Sequence, residues 1–337
     1  MKQLYENILL KFSEDNDTTL PPILTTTPQN KYAIIIEPTY DKIAHAVIKN
    51  FMYFLYPEGW HFIIISYSTY KSKIKSDFPD ATFRAINGET LEENSREIYF
   101  NKNGEPNITI DTYNKILLDP KFWNNIDGED ILIFQKDCIM FRPPPEIFSK
   151  YYSFSGANYY NHEDISPYYG GINGGFSLRK KTDMLDCLKN VSWNDITHYR
   201  EQMHNIMKNK TIDPTSTSTH PPYSQKQNED IFFTFACEIL RKSVPDKIHR
   251  LILATEVDIN IQTCVYHGWK HSYHAQDIAI QCLQNSPLFS KYITDNDVTA
   301  PTPTLTPTPT PTPTNSTQYL PSKSMPEYTF DKNAIVD

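Results

Sequence analysis

The chain has 337 residues, 39% of them apolar and 21% charged, with a net charge of −8 at pH 7. That size suits one large core or two small ones. The acidic balance argues against nucleic acid as the main partner, because such proteins show a basic face. The five cysteines (Cys138, Cys187, Cys237, Cys264 and Cys282) are scattered and form no C-x-x-C. They argue against a disulfide framework or structural zinc site and fit a reducing compartment. The N-terminal stretch is too short and interrupted for a signal peptide, and no run reaches the roughly 18–20 apolar residues of a membrane span. A soluble, cytoplasmic protein without a membrane span is expected.

Residues 1–28 read as a short helix and a Thr/Pro-rich lead-in. KYAIIIEP is a short apolar run closed by Pro38, as in a buried parallel strand. Asp41 to Tyr56 has helical apolar spacing, and WHFIIISYS (60–68) is a second buried strand. Strand, helix, strand at this spacing opens a βαβ unit. A further short strand fits 81–90, and a helix fits 111–126. GEDILIFQKDC (128–138) is a turn and a third buried strand, leading into Gln135, Lys136 and Asp137. A helix follows from Thr182 to Lys189, and NEDIFFTFACEIL (228–240) starts another with acids in its first turn. In 299–314 proline recurs every second residue, which gives an extended tether. The low-complexity Pro/Thr tail, 293–337, is therefore placed outside the folded domain, 29–292.

Five features carry chemistry. Asp137 stands at a strand end, where open α/β sheets bind ligands. A carboxylate there suits a divalent cation that neutralises a leaving diphosphate, and it equally suits a turn cap. The glycines of GGINGG (170–175), Gly174 and Gly175 among them, allow close backbone approach to a ligand or make a mobile loop. The segment matches neither G-x-G-x-x-G nor the P-loop pattern. Glu229 and Asp230 offer a general base or ordinary helix capping. His267 and His271 are four apart, as on one helix face, with His274 near; they are metal-ligand candidates or surface residues. Glu37 closes the first strand, where it meets a ribose or base or merely solvates a turn.

Taken in order, these segments resemble domain-of-unknown-function family 5672, which looks like glycosyltransferases of the GT-A fold. The matching residues are IIIEP (34–38), GWHFIIIS (59–66), YNKILLDPKFW (113–123), ILIFQKDC (131–138), FSGANY (154–159), GGINGGFSLRK (170–180), NEDIFF (228–233) and YHGWKH (266–271). The resemblance covers roughly residues 31 to 275. It implies a mixed, mainly parallel Rossmann-like sheet with helices on both faces. It also implies transfer of a sugar from a nucleotide-sugar donor, UDP-linked first of all, to a glycan, protein or small-molecule acceptor, with Mn²⁺ or Mg²⁺. The D-x-D motif of such enzymes is here Gln135-Lys136-Asp137, so one acid is missing. The Gly segment followed by an acidic pair is also similar to inverting galactosyltransferase-type enzymes. Carried over by position, Asp137 and His267 hold the metal, and Asp230 or Glu229 is the base. Glu37, Gln135, Asp137, Gly174, Gly175 and Arg179 meet the donor, with the Gly loop as a lid. The incomplete triad also supports a catalytically inactive sugar- or nucleotide-binding protein on the same fold.

Overall fold

A computed structural model of the chain describes residues 2–15, 19–24, 30–86, 99–100, 106–158, 171–210, 228–255, 263–268 and 276–293. Residues 1–298 form one compact unit, and 299–337 a second that lies outside the described residues, as does the tail from 294 onward.

The first half holds α1 (Lys2–Glu14), β1 (Lys31–Ile36), α2 (Lys42–Leu55), β2 (His61–Ser66), α3 (Lys71–Asp77), β3 (Thr82–Ala85), β4 (Tyr99–Phe100), β5 (Pro106–Asn107), α4 (Ile110–Leu118), α5 (Pro120–Asn124) and β6 (Asp130–Phe134). There follow β7 (Cys138–Met140), α6 (Glu146–Tyr151), β8 (Phe154–Asn158), β9 (Ile172–Lys180), α7 (Lys181–Asn190), α8 (Trp193–Lys210), α9 (Glu229–Ile239), α10 (Lys247–Leu253), β10 (Ala254–Thr255), β11 (Val265–His267) and α11 (Gln276–Asn285). The predicted helix over 111–126 is two helices. Asp119 ends the first and caps the second, its Oδ1 accepting from Lys121 N, with Pro120 at the first helical position.

The main sheet has the order β3-β2-β1-β6-β9-β8. β3, β2, β1 and β6 are parallel; β9 is antiparallel to both β6 and β8. It is the mixed, mainly parallel α/β sheet expected. The Ile-rich strands are buried on both faces, since side chains alternate along a strand. Ala33, Ile35, Phe62, Ile64, Leu132 and Phe134 join the core that contains α1 and α2, and Ile34, Ile63, Ile131 and Ile133 are buried on the other face. The ring of Phe51 stacks on Phe134 at 4.0 Å between centroids. The helix of the lead-in belongs to this core through buried Tyr5, Ile8, Leu9 and Phe12.

Strand order reverses direction between β1 and β6: the chain runs from β1 to β2 on one side, while β6 lies on the other. A topological switch of this kind opens a crevice at the carboxyl ends of the two strands. Glu37 and Gln135-Lys136-Asp137 follow those ends. A smaller sheet, β10-β11-β7, adjoins it, with β11 antiparallel to β7 and His267 paired with Cys138. Buried Asn50 of α2 clamps β7 to the core, with its Nδ2 donating to Met140 O (3.0 Å) and its Oδ1 accepting from Met140 N (2.8 Å).

Candidate active site

A cavity of about 520 Å³ opens at the switch point. Glu37, Gln135, Lys136, Asp137, Asn173, Gly175, Asn228, Glu229, Asp230 and His267 line it, with Ile108 to Ile110, Tyr113 and Asn114 on its α4 side. Gln135 to Cys138 form a tight turn, closed by Cys138 N donating to Gln135 O at 3.1 Å. Pairing of β7 with β11 brings His267 onto this turn. Its Nε2 lies 3.4 Å from Gln135 Oε1 and 3.7 Å from Asp137 Oδ1. Gly268, at φ 72°, donates its N–H to Asp137 O and so anchors the turn from below. His267 is thus a strand residue, not the helix residue that its spacing from His271 suggested. His271 and His274 lie outside the described residues.

The glycine segment is not a lid. Residues 172–175 belong to β9, and the ladder to β8 shifts register between Gly156 and Ala157, so Gly174 and Gly175 form a bulge. Four hydrogen bonds pin it: Gly174 N to Asp230 Oδ2, Gly175 N to Asn173 Oδ1, Ser177 Oγ to Gly174 O and Cys138 Sγ to Gly175 O. Those to Asp230 and Cys138 tie it to other elements, and a lid would have to break both. The glycines are required for contact instead. A Cβ on Gly174 would strike Glu229 Oε1, and one on Gly175 would strike His267 Nε2 and Gln135 Oε1. Gly175→Ala is expected to lower stability by about 1–3 kcal/mol, as overpacking does, read as a drop in the urea midpoint.

Arg179 does not face the cavity. It is buried behind Glu229, donating Nη1 to Oε2 (2.6 Å) and Nη2 to Oε1 (3.0 Å). Its Nε donates to Ser177 Oγ, and its guanidinium carbon lies 4.8 Å from the Phe154 ring, 5.4 Å from Phe233 and 5.9 Å from Trp123. The fork-to-fork pair ties the start of α9 to β9. Both Glu229 oxygens are thereby engaged. Glu229→Ala would strand the Arg179 charge among aromatic rings, with an expected loss of about 3–5 kcal/mol in urea unfolding.

Asp230 comes next on α9 and is nearly buried. Its Oδ2 accepts from Gly174 N (3.2 Å) and its Oδ1 from Ile231 N (2.8 Å). Burial first, and the neighbouring Glu229 charge second, push its pKa up to about 7. On the opposite wall Glu37 Oε1 accepts from Thr39 N and from Lys136 Nζ, and Lys136 Nζ also reaches Asp41 Oδ2 at 3.3 Å. Burial raises the Glu37 pKa despite Lys136. Burial works against the Lys136 charge, but Glu37 and Asp41 outweigh it and hold its pKa above the ordinary lysine value. Sequence reasoning brought Glu37, Gln135, Asp137, Gly175, Glu229, Asp230 and His267 to this cavity. It missed Tyr113, Asn114 and Asn228 as site residues.

All five cysteines are buried and none is in a disulfide, and no described helix is long and apolar enough to cross a membrane. A search of curated proteins finds no match. Among solved structures the chain is similar to the galactosyltransferase LgtC with donor and acceptor sugar analogues: 10% identity, TM-score 0.41, covering 70% of this chain and 86% of that one. It is also similar to apo glycosyltransferase GlyE of Streptococcus pneumoniae TIGR4 (8%, TM-score 0.40, 79% and 63%). The mannosyltransferase PcManGT of Pyrobaculum calidifontis, with GDP-Man and Mn²⁺, is similar at 10% identity and TM-score 0.31, over 54% and 52%. A likeness this loose transfers no residue role to this chain. Over residues 98–265, which carry Asp137, the glycine bulge and the Glu229–Asp230 pair, the chain matches the family described as Protein of unknown function (DUF5672).

Proposed function

We propose that the protein is a glycosyltransferase of the GT-A kind that moves a sugar from a nucleoside-diphosphate donor to a hydroxyl acceptor with the help of a divalent cation. The observation that carries this reading is the facing of Asp137 and His267 across 3.7 Å at the strand-end crevice, with Asp230 lining the same cavity. Asp137, Cys138 and His267 offer ligand atoms within 4.8 Å of one another. Cys138 donates its thiol proton to Gly175 O, which leaves the carboxylate and the imidazole Nε2. That oxygen–nitrogen set fits Mn²⁺ or Mg²⁺ better than a soft thiophilic ion. The bare Cα of Gly175 leaves room for the imidazole beside the turn. A bound cation supplies Lewis-acid stabilisation of the leaving diphosphate.

The protein's own groups do the rest. Lys136 adds a fixed positive charge beside the phosphates. Glu37 presents an acceptor oxygen to ribose hydroxyls at the end of β1. Asp230 takes the acceptor hydroxyl proton as general base. The acceptor oxygen bonds to the anomeric carbon while the bond from that carbon to the phosphate oxygen breaks, and its electron pair leaves with the diphosphate. Glu229, held by Arg179, positions Asp230 rather than taking the proton.

Gln135 in place of an acid favours a second reading, a protein that binds nucleotide sugars without turning them over. One assay separates the two. Purified protein is given a panel of nucleotide sugars with Mn²⁺, Mg²⁺ or EDTA, with and without acceptors. Metal-dependent nucleotide release supports transfer and names the donor. Calorimetric binding with no release and no transferred sugar supports the second reading. No metal-dependent nucleotide binding would remove both.

A further inference from the structure

The cavity has two unlike walls. The β1–β6 wall holds Glu37, Lys136, Asp137 and His267, groups suited to an anionic donor and its cation. The α4–α9 wall holds Thr109, Ile110, Asn114 and Asn228, and its only acids among the described residues are Asp230 and the Arg179-bound Glu229.

The hydrogen bonds on this second wall fix how its amides point. Asn114 Oδ1 accepts from Glu229 N at 3.1 Å, so Asn114 Nδ2 is the atom that donates to Asn228 Oδ1 at 3.2 Å. The Nδ2 of Asn228 is then left over. It carries two N–H groups at the cavity wall, and no described residue accepts from it. Asn228 is the N-cap residue of α9, yet its side chain makes no capping bond. Asparagine is favoured at that position for its capping oxygen; here the oxygen is spent on Asn114 instead. At the lip stands Ile110, the most exposed large hydrophobic side chain among the described residues at 73%. A lone exposed isoleucine is ordinary. One at the rim of a polar cavity, beside an unused amide and a carboxylate, matches a ligand with a polar edge and an apolar face.

A sugar ring has that form: hydroxyls around its edge and C–H groups on its face. We infer, resting on the transferase reading above, that the α4–α9 wall is the acceptor subsite and that its occupant is an uncharged sugar. Asn228 Nδ2 donates to one hydroxyl, the ring face lies on Ile110, and a neighbouring hydroxyl meets Asp230. An anionic sugar would set its charge against Asp230. A serine or threonine hydroxyl on a peptide has no ring face for Ile110.

The test uses the full chain with Mn²⁺ and the donor found by the release assay. The acceptors are methyl glucoside, methyl galactoside and lactose, against glucuronic acid methyl glycoside and a serine-containing peptide. Transfer to a neutral glycoside is expected. Two variants follow. Asn228→Asp keeps an oxygen for Asn114, removes the N–H donors and adds a carboxylate near Asp230, whose effect on the base is read separately from the kcat–pH profile; Ile110→Ser changes a side chain too exposed to affect folding. Asn228→Asp should raise the acceptor KM about 3- to 10-fold, the value of one hydrogen bond, and Ile110→Ser about 2- to 5-fold, with the donor KM changing less than either. Transfer confined to the peptide or the glucuronide, transfer to none of these acceptors, or an acceptor KM unmoved in both variants overturns the inference while leaving a donor-binding transferase intact. Failure of the wild-type chain to bind UDP or GDP with Mn²⁺ in calorimetry overturns the transferase reading, and this inference with it.

Discussion

Asp137→Asn is expected to lower kcat/KM for sugar transfer by about 100- to 1000-fold, the range that loss of several kcal/mol of Lewis-acid stabilisation produces. The substitution keeps the shape of the side chain and its solvent exposure. It removes the negative charge facing His267 at 3.7 Å and turns one acceptor oxygen into a donor amide. The main-chain bond from Gly268 N to Asp137 O does not involve the side chain and survives. The turn should therefore keep its form and the melting temperature should barely change. Two measurements together check this: Mn²⁺ titration by calorimetry, in which the variant binds at least ten-fold more weakly, and steady-state kinetics, in which added Mn²⁺ recovers part of the rate. Near-normal turnover in Asp137→Asn would end the metal assignment.

Asp230→Asn should cost about 10²- to 10⁴-fold in kcat, as removal of a general base does, and it should stabilise the fold. Both effects come from one cause. Burial and the Glu229 charge hold the Asp230 proton until about pH 7, against an ordinary 3.8. The folded state thus binds a proton that the unfolded chain has released, and stability falls as pH rises from roughly 4 to 7. The full shift corresponds to about 4 kcal/mol. Asparagine keeps only one of the two oxygens that accept from Gly174 and Ile231, so the net gain at pH 8 is nearer about 2 kcal/mol. Urea melts of both proteins at pH 8 and at pH 4 test this: the variant should be the more stable by about 2 kcal/mol at the first and the less stable by a similar amount at the second, where the wild-type carboxyl is protonated and only the lost acceptor counts. Wild-type kcat/KM should rise about ten-fold per unit below pH 7 and level off above it, because a base must be ionised to act. A profile with no inflection near 7 would move the base elsewhere.

The sheet was legible because its strands are written as unbroken apolar runs, and α2 because its apolar residues recur at helical spacing; the caps Asp119 and Asp246 were not read as such. The end of β6 was legible as a site because parallel strands leave their carboxyl ends open. The glycine segment was not. Paired glycines signal only that side chains are excluded. Whether the reason is freedom to move or a neighbour pressed against the backbone depends on His267 and Glu229, which are remote in sequence. His267 was misplaced for a similar reason: spacing of four from His271 suggests a helix, and only pairing with β7 reveals a strand. Arg179 was expected at the donor because cations meet phosphates, but three aromatic rings and Glu229 enclose it. The Asn114–Asn228 contact leaves no trace in local pattern at all, since amides appear wherever a chain is polar.

The first helix and the last described residues hold each other. Lys291 Nζ and Tyr292 OH both donate to Asp15 Oδ2 at 2.7 Å, Lys11 Nζ donates to Tyr292 O at 3.0 Å, and the Phe12 ring packs edge-on against Phe289. During synthesis α1 emerges long before Phe289, which packs on its Phe12. β7 likewise waits for β11. Contacts this remote close slowly. The α1–α2 pair can therefore form early, while the part of its surface that meets Phe289 and Tyr292 stays open until those residues have been made.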